Sequence, residues 1–258
     1  MAIINVTPDS FSGDGVAGQL DRALRLAEQA MADGADILDI GGESSRPGAA
    51  AVGVQEELDR VMPIVEALAQ APLPLSIDTV KPEVMRAAAR AGAAIINDIN
   101  ALRQPGAVEA VADSDVGICL MHMQGEPRTM QAAPQYGDVV AEVADFLKQR
   151  SDILRTAGVA PERILLDPGF GFGKTLAHNA ALFAALPHLR QLGYPLLVGV
   201  SRKSMLGQIT GQPVDQRLAA SVAAAVLAAQ RGAAILRVHD VAATRDALNV
   251  MAALDKNS

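Results

Sequence analysis

The chain is poor in the residues that would tie it together covalently or by stacked rings. It has one cysteine, Cys119, no tryptophan, and aromatics make up 3% of its 258 residues. A lone cysteine forms no intramolecular disulfide and no cysteine-based metal cluster, which leads us to expect a reducing cytoplasm. The four histidines, His122, His178, His188 and His239, are too scattered for metal-ligand spacing. No apolar run approaches the ~18 residues of a membrane-spanning helix. No basic segment opens the chain as in a signal peptide. Basic charge is also short. A net charge of −7 argues against nucleic acid and against an anionic membrane surface as partners. An anionic substrate must therefore be drawn by a local basic site working against the overall field.

What the chain has in plenty is Ala, Val, Leu and Ile, in a sequence that is 50% hydrophobic. Short apolar runs fall at Ile3–Val6, Ala35–Ile40, Leu73–Asp78, Ala94–Asp98, Gly117–Met121, Ile164–Asp167, Pro195–Val200 and Ala234–Val238. Between them lie stretches of helical period, such as Leu20, Ala23, Leu24, Ala27 and Met31. Near-continuous apolar strands alternating with amphipathic helices predict parallel strands covered by helices. Eight such units in this length predict a single-domain (β/α)8 barrel spanning residues 1–258. A doubly wound open sheet is the alternative, but no G-x-G-x-x-G follows the first strand. The Ala-rich stretch Leu218 to Gln230 reads as a buried or interface helix. The longer connections all follow the C-terminal ends of strands, which marks that face as the active one.

Ile164 to Thr175 reads I-L-L-D-P-G-F-G-F-G-K-T. The strand must stop at Pro168, which has no N–H to donate. Alternate glycines then make a flexible flap bearing Phe170 and Phe172, beside Asp167 at the strand mouth. A P-loop is excluded, because its pattern needs glycine where Pro168 stands. Other strands also end in polar groups: Asn5, Asp39, Asp78, Asn97, His122, Lys203, Arg237 and His239. Singly each has a plain structural reading. Asp78-Thr79 and Asp240 suit helix N-caps, Asn97-Asp98 a turn, and His122 a core histidine. Together they form two chemical sets. Asp78, Asn97, Asp167 and Lys203 match the edge of a pterin or guanine-like ring. Arg46, Arg237, His239 and Asn5 match a diphosphate with Mg²⁺.

These runs resemble one family along almost the whole chain and in order. They are N-V-T-P-D-S-F-S at 5–12, G-G-E-S-S-R-P-G at 41–48, S-I-D-T-x-K-P at 76–82, I-N-D-I at 96–99, L-D-P-G-F-G-F-G-K at 166–174, G-V-S-R-K-S at 199–204 and R-V-H-D-V at 237–241. The family is that of the dihydropteroate synthases. The resemblance implies condensation of 6-hydroxymethyl-7,8-dihydropterin diphosphate with p-aminobenzoate, giving 7,8-dihydropteroate and pyrophosphate in folate synthesis. It implies a (β/α)8 barrel, a homodimer and a Mg²⁺ requirement. It places the pterin on Asp78, Asn97, Met121, Asp167 and Lys203. The diphosphate falls on Asn5, Arg46, Arg237 and His239, with Asn5 also on Mg²⁺. Ser45, Pro47, Phe172, Lys203 and Ser204 line the p-aminobenzoate site, and Asp9, Phe11, Asp14 and Arg46 lie on mobile loops. Catalysis falls to Lys203, Asp78, Asp167, Arg237 and His239.

The chain departs from the family pattern in places. It reads Ser12-Gly13-Asp14-Gly15 where S-D-G-G is usual, which displaces Asp14 by one position. Ser45 stands in for threonine. The chain starts directly at the first strand, where family members carry a segment over the barrel floor. The expectation is a truncated start or an open floor. Rival readings are a non-catalytic pterin-binding paralogue, a methyltetrahydrofolate-type methyltransferase domain, and a Schiff-base aldolase whose Lys203 is activated by Arg202.

Overall fold

The computed structural model describes residues 1–6, 16–44, 51–127 and 129–255. The eight expected strands are present: β1 (Ala2–Asn5), β2 (Leu38–Gly41), β3 (Leu75–Asp78), β4 (Ile95–Asp98), β5 (Gly117–Met121), β6 (Ile164–Asp167), β7 (Leu196–Val198) and β8 (Ala233–Leu236). They form one parallel sheet in sequence order. At its end the sheet curls back on its beginning. Ala2 bridges Val238 in parallel, and the Ile3 N–H donates to the Val238 carbonyl at 3.0 Å.

Helices separate the strands, as parallel connection requires. They are α1 (Val16–Ala32), α2 (Val54–Leu68), α3 (Pro82–Arg90), α4 (Ala107–Ala112), α5 (Val139–Thr156), α6 (Leu176–Ala184), α7 (Leu186–Leu189), α8 (Ser204–Thr210), α9 (Leu218–Gln230) and α10 (Val241–Asp255). The count exceeds one helix per strand because two connections are broken. Pro187 stands in the first turn of α7, where its missing N–H costs nothing. Pro213 follows the end of α8. Of the expected caps, Asp78-Thr79 does not cap α3, whose N-cap is Lys81 without a side-chain bond. Thr79 Oγ1 instead accepts the Lys81 N–H at 3.2 Å. The Asp240 carboxylate pairs with Arg202. Asn97-Asp98 does make a turn: Asp98 accepts the N–H groups of Asn100 at 2.6 Å and Leu102 at 2.8 Å.

Strand side chains alternate between two faces. The outer face, with Leu38, Ile40, Ile77, Ile96, Ile118, Leu120 and Leu166, packs against the helices in the main core. The inner face begins with a separate apolar cluster that includes Ile37, Ile95, Cys119, Leu165, Leu197 and Ile235. One inward step further along, at a spacing of two residues, stand Asp39, Asn97, Met121, Asp167 and Arg237. The apolar floor thus changes to a polar rim within a single pleat. α9 is partly buried, with Ala224, Ala225 and Ala228 inside and Leu218 and Leu227 exposed.

Candidate active site

Arg237, just past β8, reaches across the rim. Its Nε donates to Asp39 Oδ2 at 2.6 Å and an Nη to Asp78 Oδ2 at 2.7 Å. Burial opposes its charge, but the two carboxylates more than compensate and hold its pKa above the usual arginine value. Asp39 is fully buried and gathers donors from other strands. It accepts Ser76 Oγ at 2.5 Å and, at the long distance of 3.5 Å, the Asn97 amide. Asp78 is half-buried. Burial pushes its carboxyl up to about 7, Asp39 adds to the rise, and Arg237 opposes it. A carboxyl poised near neutrality can accept an N–H or hold a proton there.

The opposite side of the rim is built by the glycine loop. Asp167 is buried at the end of β6 and accepts the Gly169 N–H at 2.7 Å. Burial raises its pKa, against the pull of Lys203. Gly169 and Gly173 have positive φ, of 70° and 60°. A Cβ on either would collide with a backbone carbonyl, that of His122 or of Gln124. The loop therefore packs directly on the chain leaving β5, a close approach open to glycine alone. It is not the loose flap that alternate glycines suggest. Phe170 is fully buried against Phe183, with ring centroids 5.8 Å apart. Phe172 alone faces the site, among Met121, Met123 and Met130.

Lys203, preceding α8, donates to the Phe170 carbonyl, and its Nζ lies 4.6 Å from the centre of the Phe172 ring. Burial lowers its pKa to about 8, Asp167 opposes the fall, and Arg237 adds to it. Arg202 does not act on it, because its side chain turns away to Asp240. Ser204 is exposed at the start of α8. His239 sits at the outer edge, with Nδ1 3.0 Å from Ser201 Oγ. Asn5 is half-buried at the end of β1 beside Gly41 and Asp78.

Among the expected site residues, Asp78, Asn97, Met121, Asp167, Lys203, Phe172 and Arg237 thus share the rim. Asn5, His239 and Ser204 stand at its margin. Asp9, Phe11, Asp14, Ser45, Arg46 and Pro47 lie outside the described residues. A cavity of about 690 Å³ opens beside Asp78, bordered by Lys81, Asn100, Arg103 and Met123. Lys81 bridges Glu43 and the buried Glu57, and Glu43 also accepts the Val52 N–H at 3.2 Å. The described ends on either side of residues 45–50 are thereby tied together.

Sequence reasoning listed Asp39 among the strand ends but gave it no role, and it left Lys174 unused. Both occupy inward or loop-closing positions that polarity alone could have flagged. Among the described residues no group of three or more His, Cys, Asp or Glu could hold a metal ion. Asn5 offers one hard oxygen. That suits Mg²⁺, which keeps several waters and binds chiefly through substrate phosphates rather than in an all-protein cage.

The chain is similar to known proteins along almost its whole length. The chain is 53% identical to the dihydropteroate synthase of Escherichia coli K12, over 98% of this chain and 90% of that protein. The Burkholderia cenocepacia dihydropteroate synthase, solved with 7,8-dihydropteroate, superposes with a TM-score of 0.91 at 58% identity, covering 100% of this chain and 91% of the other. The Xanthomonas albilineans enzyme, solved with 4-aminobenzoic acid, gives a TM-score of 0.93 at 57% identity, covering 99% and 92%. The model of the pterin binding enzyme family matches residues 1–239, and the chain belongs to that family.

Proposed function

We propose that the chain condenses 6-hydroxymethyl-7,8-dihydropterin diphosphate with p-aminobenzoate, as a dihydropteroate synthase. The observation that carries this reading is the rim of Asp78, Asn97, Asp167 and Lys203. Two carboxylates, an amide and an ammonium come together there: Asp78 pairs with Asn97 across β3 and β4, Asp167 ends β6, and Lys203 leads into α8. That set complements a ring edge bearing N–H, amino and keto groups. Its likeness to the named relatives, over nearly the whole chain, supports the same reading. We read the sheet as a closed (β/α)8 barrel and a single domain, supported by the contacts between Ala2, Ile3 and Val238.

The bond that breaks joins a methylene to the diphosphate oxygen. The methylene is conjugated with the pterin, so departure leaves a delocalised cation, and the route is S_N1-like. Asp78 and Asp167 lie where the ring binds and stabilise that cation. Lys203 donates to the ring, and Met121 packs on it. Arg237, His239 and Asn5, with Arg46, take the diphosphate as its charge develops. Mg²⁺ on Asn5 would supply further positive charge to the leaving group. The arylamine of p-aminobenzoate is neutral at pH 7, so it attacks without a strong base. Phe172 and Ser204, with Ser45 and Pro47, form its site. Closure by the segments carrying Asp9, Phe11 and Asp14 would exclude water.

The protein acts as a homodimer in this reading. Ile209, Val214, Leu218, Leu227, Val250 and Leu254 are exposed apolar residues of α8 to α10 and their connections, and they support a self-association face. The reading also places the chain in the cytoplasm, supported by the single, buried cysteine. Among the described residues no helix is long and apolar enough to cross a membrane.

The test is incubation with both substrates and Mg²⁺, following pyrophosphate and dihydropteroate together. Product that needs both substrates is the expected outcome. Pyrophosphate alone would mean capture of the cation by water. Tight binding of pterin diphosphate without either product would leave a non-catalytic pterin binder.

A further inference from the structure

Lys174 closes the glycine run and has no part in the chemistry above. It is only 3% exposed. Its Nζ sits among His122 Nδ1 at 2.9 Å, Gly169 O at 2.9 Å, Phe172 O at 3.0 Å and His122 O at 3.3 Å. Burying an ammonium is costly unless its N–H groups are met. Here acceptors meet all three, and none of them is a carboxylate.

The two loop carbonyls flank Phe170 and Gly171, so binding both wraps the loop around the nitrogen. That wrap sets the groups that face the site. The Gly169 N–H donates to Asp167, and the Phe170 carbonyl receives Lys203. Two further bonds brace the loop: the Gly171 N–H donates to Asn179 Oδ1 at 2.8 Å, and the Tyr136 hydroxyl to the Gly173 carbonyl at 2.9 Å.

We propose that Lys174 is a positioning residue for the transfer reaction, holding the glycine loop in the shape that aims Asp167 and Lys203 at the pterin. The inference rests on the activity proposed above.

Several titratable groups surround Lys174. His122, from the end of β5, is pulled down to about 3 by burial and then by Lys174, so it accepts as a neutral ring. Arg103 adds a smaller push on His122. Tyr136 is pushed up to about 12 by burial, with Glu142 adding to it, and stays neutral. His178 packs edge-on against Tyr136. Asp167 from β6 and Lys203 ahead of α8 are the charged neighbours. Burial lowers Lys174 itself to about 7, Asp167 opposing and Lys203 adding. Lys174 is therefore charged on the acid side of pH 7, where its field adds to those of Lys203 and the Gly169 N–H in opposing the burial that raises Asp167.

The test compares wild type, Lys174→Met and Lys174→Arg by kcat/KM from pH 6 to 8.5. The deficit of Lys174→Met should be about tenfold at pH 6 and shrink to about threefold at pH 8.5, where wild type has also lost the charge. Lys174→Arg, charged throughout this range, should lack the roughly threefold fall that wild type shows as Lys174 loses its proton. A deficit equal at every pH, or none, would overturn the proposal.

A second measurement needs neither a folded variant nor turnover. In wild-type protein carrying ¹³C at the lysine ε position, Lys174 should titrate near pH 7, and the Gly169 and Gly171 amides should move with the same midpoint. Amides that stay still while Lys174 titrates would sink the idea. Failure of the wild type to turn over would instead sink the activity.

Discussion

Two sides of the same rim bury cations by opposite means. On the β8–β2–β3 side, Arg237 is clasped by two carboxylates borne on strands. On the β5–β6–β7 side, Lys174 and Lys203 are clasped mainly by peptide carbonyls of a loop. The outcome for charge differs accordingly. The carboxylates drive the guanidinium above its usual pKa and make the charge permanent. Carbonyl dipoles do not repay burial, so the ammonium groups fall to about 7 and about 8. A planar guanidinium suits the bidentate pairing, and an ammonium suits a ring of carbonyls. One side thus offers a fixed charge for an anion that always bears charge. The other offers groups whose charge follows their surroundings, on the side where the proposed reading puts the heterocycle.

The contrast breaks most readily at Arg237. Arg237→Met leaves Asp39 buried beside Asp78 with no cation, and should cost about 3–5 kcal/mol in urea unfolding at pH 7. Adding Asp39→Asn should return part of that loss. A cost below about 1 kcal/mol would mean that the clasp is not a stabilising unit. Gly169→Ala attacks the loop side. It forces a Cβ into the His122 carbonyl at positive φ, and should cost about 2–4 kcal/mol and most of the activity.

Asp78→Asn should act the other way on stability. Its folded pKa of about 7 lies above the 3.8 of an ordinary aspartate, so between these values the folded chain keeps a proton that the unfolded chain releases. Stability from this group therefore falls as pH rises from about 4 to 7. The variant should be about 1–2 kcal/mol more stable than wild type at pH 8, with the gap closing by pH 4, although synthesis is lost. A gap that does not vary with pH would detach the effect from Asp78 titration. The smallest change is expected of Lys203→Arg. Wild-type kcat/KM should fall above pH 8 as Lys203 loses its proton, and the arginine variant should lack that alkaline limb. A limb unchanged by the substitution would assign it to another group.

How far the sequence announces all this differs between strands and loops. Strand identities are legible because a buried parallel strand is a short apolar run, and β5 and β6 match their expected bounds. Ends elsewhere move by a residue or more, as at Pro195–Val200, where only Leu196–Val198 pairs. The rim residues Asp78, Asn97, Asp167 and Lys203 are legible because nothing in packing asks for polarity at the end of an apolar run. Asp39 is harder to read. It sits in the run L-D-I, where one carboxylate between apolar neighbours gives no hint of a partner about 200 residues away. The fate of Phe170 and Phe172 is also hidden, because alternate positions in an irregular loop do not alternate faces as they would in a strand. Lys174 resembles a phosphate-binding lysine in sequence and proves to be an internal brace.

The change from apolar floor to polar rim within one pleat has a consequence for how such a chain can vary. Each of Asp39, Asn97, Met121, Asp167 and Arg237 stands two positions beyond an apolar floor residue in or just flanking the same strand. Adding one residue inside a strand would therefore turn its chemical group outward into the helix layer and bring the preceding aliphatic side chain to the rim. The connections beyond the strand ends carry no such phase. Length changes should thus be accepted in the mouth loops and rejected in the strands, so that a library of insertions would map the site by where the chain refuses them.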